Sequence, residues 1–217
     1  MTALITPFTD GRLDEQRLKS QIERQIAGEV SGIIPVGTTG ESPTLSFEEH
    51  ERVIEIAVQT SAGRVKVIAG TGANATSEAL ELHRFAKKVG ADACLSVNPY
   101  YNKPSQEGLY RHFMTLSDSV DLPIVLYNIP GRTGITMAAQ TVARLHQAGN
   151  FPALKEATGS LDLVTEIMGL CDIAITSGDD SMTLPLMAIG AKGVISVASN
   201  VLPSQVKQMT KLALAGN

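Results

Sequence analysis

Short runs of β-branched and other apolar residues recur along the chain, each closing on Gly, Thr, Asn or Pro. After each comes a longer stretch in which apolar positions return every three or four residues among charges. The first kind predicts strands: TALITPF (2–8), GIIPVG (32–37), KVIAGTG (66–72), ACLSVNPYY (93–101), PIVLYNIP (123–130), PALKEATG (152–159), IAITSGDD (173–180) and GVISVASN (193–200). The second predicts helices. In SFEEHERVIEIAVQTSAG (46–63), Ser46 and Glu49 form a capping box; TSEALELHRFAKKVG (76–90) ends on glycine after two lysines. Strands that alternate with helices pair in parallel, which gives either a doubly wound sheet or a closed ring. The count of eight favours an α/β fold of the (β/α)8 TIM-barrel type, formed by residues 1–217 as a single domain.

One stretch argues for the doubly wound alternative. GTGANA (70–75) follows a strand, precedes a helix and matches a loose dinucleotide-binding pattern, with Asp92 about twenty residues on. Asp92 lies before the next strand, whereas a ribose-binding acid follows it. The glycines are better explained by a tight strand-to-helix turn.

Composition narrows the partner. With 43% apolar residues in 217, the chain can bury one substantial core. A net charge of -4, with scattered lysines and arginines, excludes the basic stripe of a nucleic-acid or anionic-lipid binder and leaves a small molecule. Cys94 and Cys171 sit among apolar neighbours with no metal-binding spacing, which fits core positions in a reducing cytoplasm. The opening MTALITPFTDG lacks a basic start and a cleavage site, and no run is long enough to span a membrane.

In a (β/α)8 barrel the chemistry sits at the carboxyl ends of the strands. There this chain places GTTGES (37–42), NPYYNKP (98–104), YNIPGRTG (127–134), Lys155 and SGDDS (177–181). Lys155 alternates with Ala153, so it points into the barrel, where a dry environment would leave a neutral, nucleophilic amine able to form a Schiff base. The competing possibility is a buried ion pair with Asp179 or, less well placed, Glu156. Tyr127, one strand away, could move protons or simply be a buried aromatic. GTTGE offers hydroxyls and backbone N–H groups for a carboxylate or phosphate, and Arg132 could grip a second carboxylate. Asp179 and Asp180 read as helix N-caps in preference to metal ligands. His50, His83, His112 and His146 have no H-x-x-x-H spacing, so no metal site is expected.

Lys155, Tyr127, GTTGE, NPYYNKP and YNIPGRTG together make the chain resemble the dihydrodipicolinate synthase family, over essentially its whole length. That family lies within the pyruvate-dependent class I aldolases, which include N-acetylneuraminate lyase. The resemblance implies a Schiff-base enzyme of lysine and diaminopimelate biosynthesis that joins pyruvate to L-aspartate 4-semialdehyde, giving 4-hydroxy-tetrahydrodipicolinate. It implies no added cofactor and no metal. Lys155 would form the imine, and Thr38 and Thr39 would hold the pyruvate carboxylate. Tyr127, Thr38 and Tyr101 would relay protons, Tyr101 coming from the neighbouring subunit of a homodimer or homotetramer. Arg132 would bind the semialdehyde carboxylate, with Gly178 and Ile195 lining the pocket through their backbone. Ser42, His50, Asn74, Glu78 and Tyr100 match polar positions of a lysine-regulatory site, although Phe47 stands where inhibited members often carry histidine.

Against the family pattern, the chain ends at Asn217, without the usual C-terminal helical segment. Two alternatives stand beside the synthase: a pyruvate aldolase of sialic-acid or keto-deoxy-sugar type, which keeps the imine and changes the aldehyde, and, suggested by the early stop, a truncated barrel with weak or no catalysis.

Overall fold

The structure, a computed structural model, describes residues 1–216. Seven parallel strands form one curled sheet in the order β1 (Thr2–Ala3), β4 (Gly32–Ile34), β5 (Lys66–Gly70), β6 (Ala93–Val97), β7 (Ile124–Asn128), β8 (Ala153–Glu156) and β9 (Ala174–Ser177). The segment expected as an eighth strand, GVISVASN, forms no regular strand. Instead its Ser196 bridges Thr2 in β1 and its Val194 bridges Ser177 in β9, both in parallel, so the two sheet edges meet across it. The Ala3 N–H donates to the Ser196 carbonyl and the Ile195 N–H to the Ser177 carbonyl, each at 2.9 Å. The ring thus closes through single bridges, because the backbone turns into a short 3-10 turn at Ala198–Asn200 directly afterwards.

The strands end earlier than the apolar runs predict. Residues such as Gly37, Asn98 and Ala157 leave the ladder and become the loops at the carboxyl rim. The expected first strand, 2–8, is shortened to β1, and a two-stranded hairpin that was not expected, β2 (Phe8–Thr9) with β3 (Arg12–Leu13), begins at its last residue. Asp10 and Gly11 turn it at φ +50° and +74°, the Asp-Gly chemistry of a tight hairpin.

The helices follow the predicted logic. In α2 (Phe47–Ser61) the Glu49 N–H donates to Ser46 Oγ at 3.2 Å and the Ser46 N–H returns a bond to Glu49 Oε2 at 3.0 Å, satisfying two donors the first turn would leave free. Helix α3 (Thr76–Val89) ends at Gly90, whose φ of +90° suits only a residue without Cβ.

The period of two along each strand divides the core. Inside the ring, Ala3, Ile34, Ile68, Leu95, Val125, Tyr127 and Ile195 pack together. On the outer face Leu126 and Leu154 join α4 (Gln106–Ser119) and α6 (Ala139–Ala148) through residues such as Phe113 and Val142. In register, Tyr127 pairs with Lys155 and Leu126 with Leu154, so the amine has the phase of the interior.

The dinucleotide alternative finds no support in this geometry. A Cβ on Gly70 would strike the Val36 carbonyl, and one on Gly72 the Val97 nitrogen, so these glycines allow neighbouring strand ends to approach. Asp92 lies at the opposite, amino end, accepting from Lys66 Nζ at 2.6 Å and the Val67 N–H at 2.9 Å. Cys94 is buried and Cys171 half-buried, both free. Among the described residues no helix is long and apolar enough to cross a membrane.

Candidate active site

Lys155 has only 5% of its surface exposed, and among the described residues no carboxylate lies within ion-pair distance of its amine. Its Nζ sits 4.1 Å from the centroid of the Tyr127 ring. Burial lowers the amine from 10.5 to about 8; Asp179 opposes this from a distance and Arg132 adds to it. A useful fraction is therefore uncharged near neutral pH. The two acids weighed as partners are occupied otherwise or distant. Glu156 faces the helices, where Oε1 accepts from the Thr158 N–H at 2.6 Å and Oε2 from Asn128 Nδ2 at 3.2 Å, and burial raises its pKa.

Tyr127 is buried at the end of β7, and burial pushes its hydroxyl up to about 12, with Thr38 and Arg132 acting in the opposite sense. It stays protonated and can hand a proton on and take it back. A cavity of about 240 Å³ opens above, lined by Thr38, Tyr127, Arg132, Leu95, Ser42 and Tyr100 among others. It is small beside the roughly 300–1,000 Å³ of drug-sized sites, as suits a substrate of a few carbons. Lys155 is not part of its wall; Tyr127, which is, carries the contact to the amine.

The local sequence explains the shape. Thr38 and Thr39 lie half-buried in a 3-10 turn, Thr38–Gly40, between Val36 at φ +48° and Glu41 at φ +62°. Arg132 is exposed on α5 (Pro130–Thr133), a single turn begun by Pro130 and stopped by Gly134 at φ +75°. Gly178 packs its backbone along the lysine stem, for a Cβ there would come within 3.2 Å of Lys155 Cε and 2.6 Å of Ala157 Cβ.

Other expected residues fall elsewhere. Ile195 is buried in the interior cluster and lines a second cavity at the amino end, not the upper one. Tyr101 is 89% exposed at φ +72°, held outward from its own chain's cavity. Of the five polar positions matched to a regulatory site, Ser42 and Tyr100 line the upper cavity itself. The Asn74 carbonyl accepts from Asn102 Nδ2 at 3.0 Å, Glu78 is exposed on α3, and His50 is buried with Nε2 2.8 Å from the Gly70 carbonyl. The expected capping by Asp179 and Asp180 of their own helix does not occur. Asp179 makes no side-chain cap, while Asp180 Oδ2 accepts from the Val197 and Ala198 N–H groups at 3.0 and 2.9 Å, at the start of the turn Ala198–Asn200. No three His, Cys, Asp or Glu side chains converge among the described residues.

A polar network escaped the sequence reasoning. Behind Lys155 and Tyr127, Asn128 Oδ1 accepts from Asn98 Nδ2 at 3.2 Å and from the Met137 N–H at 3.0 Å, and Asn128 itself reaches Glu156. Its signal was available: with Tyr127 and Lys155 inward, Asn128 and Glu156 are outward neighbours where the pattern calls for apolar residues.

Compared with known proteins, the chain matches the model of the dihydrodipicolinate synthetase family over residues 1–217. It is 55% identical to the 4-hydroxy-tetrahydrodipicolinate synthase of Pelobacter propionicus, across 100% of this chain and 76% of that protein. Against the enzyme of the same name from a Sulfurihydrogenibium species it is 56% identical, across 100% and 75%. The crystal structure of dihydrodipicolinate synthase from Aquifex aeolicus superposes with a TM-score of 0.98 at 53% identity, over 99% of this chain and 74% of that one.

Proposed function

The chain belongs to the dihydrodipicolinate synthetase family, and from that premise we propose that it condenses pyruvate with L-aspartate 4-semialdehyde to 4-hydroxy-tetrahydrodipicolinate. The curled sheet is read as a (β/α)8 barrel whose eighth strand is reduced to bridges. The observation that carries the chemistry is the buried Lys155 amine, free of a carboxylate among the described residues and stacked on Tyr127.

The neutral Nζ attacks the keto carbon of pyruvate and water leaves, giving an iminium on Lys155. Tyr127, with Thr38 beside it, carries the protons that the departing hydroxyl takes up and the nitrogen gives away. The iminium draws electrons from the adjacent methyl carbon, which loses a proton. The resulting enamine attacks the aldehyde carbon of the semialdehyde, whose oxygen takes up a proton. The substrate's own amine then displaces Lys155 as the ring closes, so no added cofactor is consumed. Thr38 and Thr39 support the pyruvate carboxylate, Arg132 the semialdehyde carboxylate, and Gly178 leaves the room that the lysine stem occupies. Ile195 contributes to the interior packing below the site.

Arg132 also separates this reading from a sugar-aldehyde aldolase. Arg132→Ala is expected to raise KM for the semialdehyde roughly tenfold to a hundredfold, the scale of a lost charge-assisted bond, and to leave pyruvate capture on Lys155 intact. Initial rates with the semialdehyde and with sugar aldehydes measure this. Faster turnover of a sugar aldehyde, indifferent to Arg132, would favour the aldolase.

Tyr101, exposed and held in a left-handed conformation, fits a residue offered to the cavity of a second copy, which supports a homodimer or larger homo-oligomer in the cytoplasm. Ser42 and Tyr100, with Asn74, Glu78 and His50 nearby in sequence or packing, form the place where lysine would act. The expected result is a lower initial rate on adding millimolar lysine; unchanged rates would remove the regulatory role.

A further inference from the structure

At the amino end of the barrel, away from Lys155, a second cavity of about 1040 Å³ lies between the strands and helix α9 (Pro203–Leu214). Its origin is visible in the register. Val125 pairs with Ala153 and Ala153 with Ala174, so two adjacent inward positions carry only a methyl group and leave the lower layer of the interior unfilled. Apart from Thr176, the remaining floor is aliphatic: Ile68, Val125, Ile195 and, from the helix, Leu214.

Helix α9 faces this space with the wrong chemistry for a core. A barrel helix ordinarily turns an apolar stripe toward the sheet, as α1 (Glu15–Ala27) does with Leu18 and Ile22. The lining residues Ser204, Lys207, Gln208 and Lys211 follow the i, i+3, i+4, i+7 spacing of a single helical face, and Pro203 is the only buried residue of α9. The helix is held at its start from the side: Pro203 lies where a Cβ on Gly28 would stand, and Arg24 donates to the Val201 carbonyl at 2.6 Å. Lys192 adds a third lysine to the wall. Among the described residues, none of the three lysines is ion-paired to a carboxylate; Lys207 donates to Ser31 Oγ at 3.0 Å, and Glu29 is the one acid in the lining. In a chain of net charge -4 this is a local excess of positive charge above an aliphatic floor.

We propose that this amino-end cavity is a second binding site, for an amphipathic aliphatic carboxylate whose chain lies over the methyl groups of Ala153 and Ala174 while its carboxylate rests on Lys207 and Lys211. An anion without an apolar body would leave the floor empty, and a neutral apolar ligand would leave the lysines facing it unpaired.

Calorimetric titration with decanoate tests the site, with inorganic phosphate as the anion lacking an apolar body. The expected result is saturable one-to-one binding of decanoate and none of phosphate. Lys207→Gln with Lys211→Gln, a surface change, should weaken decanoate about tenfold or more, as loss of two ion pairs implies. Ala174→Leu, which fills the floor and keeps the charge, should weaken it at least as much, while borohydride trapping of pyruvate on Lys155 continues in both variants. No binding of decanoate overturns the proposal. So does binding that either variant leaves unchanged: indifference to the lysine change means the cations play no part, and indifference to Ala174→Leu places the ligand on exposed apolar side chains such as Val201 and Leu202.

Discussion

Replacing Lys155 by methionine is expected to lower kcat for the condensation by at least about 10³-fold, the scale on which removal of a covalent nucleophile acts. Methionine fits the same apolar channel beneath Tyr127 and cannot form an imine. Borohydride reduction in the presence of pyruvate, followed by peptide mapping, should find a pyruvate-sized adduct on the peptide holding Lys155 in the parent chain and none in the variant. The other lysines serve as internal controls for labelling that does not depend on a buried amine beside Tyr127. An adduct on a different lysine, or condensation surviving in Lys155→Met, would remove the amine from the mechanism.

The same substitution should stabilise the fold. Well below pH 8 the Lys155 amine is mostly protonated in the folded chain as well as the unfolded one, and the folded state alone bears the cost of holding that charge away from water. The gap between 10.5 and about 8 corresponds, at about 1.4 kcal/mol per tenfold change, to roughly 3 kcal/mol. Loss of the Lys155–Tyr127 cation–π contact offsets about 1 kcal/mol of this, leaving a gain on the order of 2 kcal/mol at pH 7. Between pH 8 and 10.5 the unfolded chain keeps a proton that the folded chain has shed, so the parent gains stability with rising pH and the advantage of the variant shrinks. Urea unfolding of both proteins at pH 7 and near pH 10 measures this difference. A variant less stable than the parent at pH 7, or an advantage that does not change with pH, would mean that the amine is not held at a cost. A stabilising change that abolishes turnover is the pattern of a site strained for function.

Much of this site could be located before any coordinates, because strand periodicity is a local rule. Ala153 and Leu154 set the phase of β8, and Lys155 then has to point inward whatever the rest of the chain does. The Ser46–Glu49 box and the Gly90 stop are equally local, each satisfied within four residues of its own helix end. The Asp10–Gly11 hairpin was local too, and was missed because the apolar run before it was extended through Pro7 into Phe8.

What the chain determined by itself was the alternation of strands and helices, the inward lysine and tyrosine, and the glycine turns around them, since each depends on neighbours a few residues away. Tertiary structure alone decided that GVISVASN would close the ring by two bridges, and that Asp180 would accept from the backbone at the start of the turn after Val197. It also decided that Ser42 and Tyr100 would share the Thr38 cavity, and that the lysines of α9 would face an unfilled floor. Those outcomes depend on contacts between residues far apart in the chain. Periodicity tells which face of an element is apolar, but the element that comes to lie against that face, and at what distance, is settled only when the whole core packs.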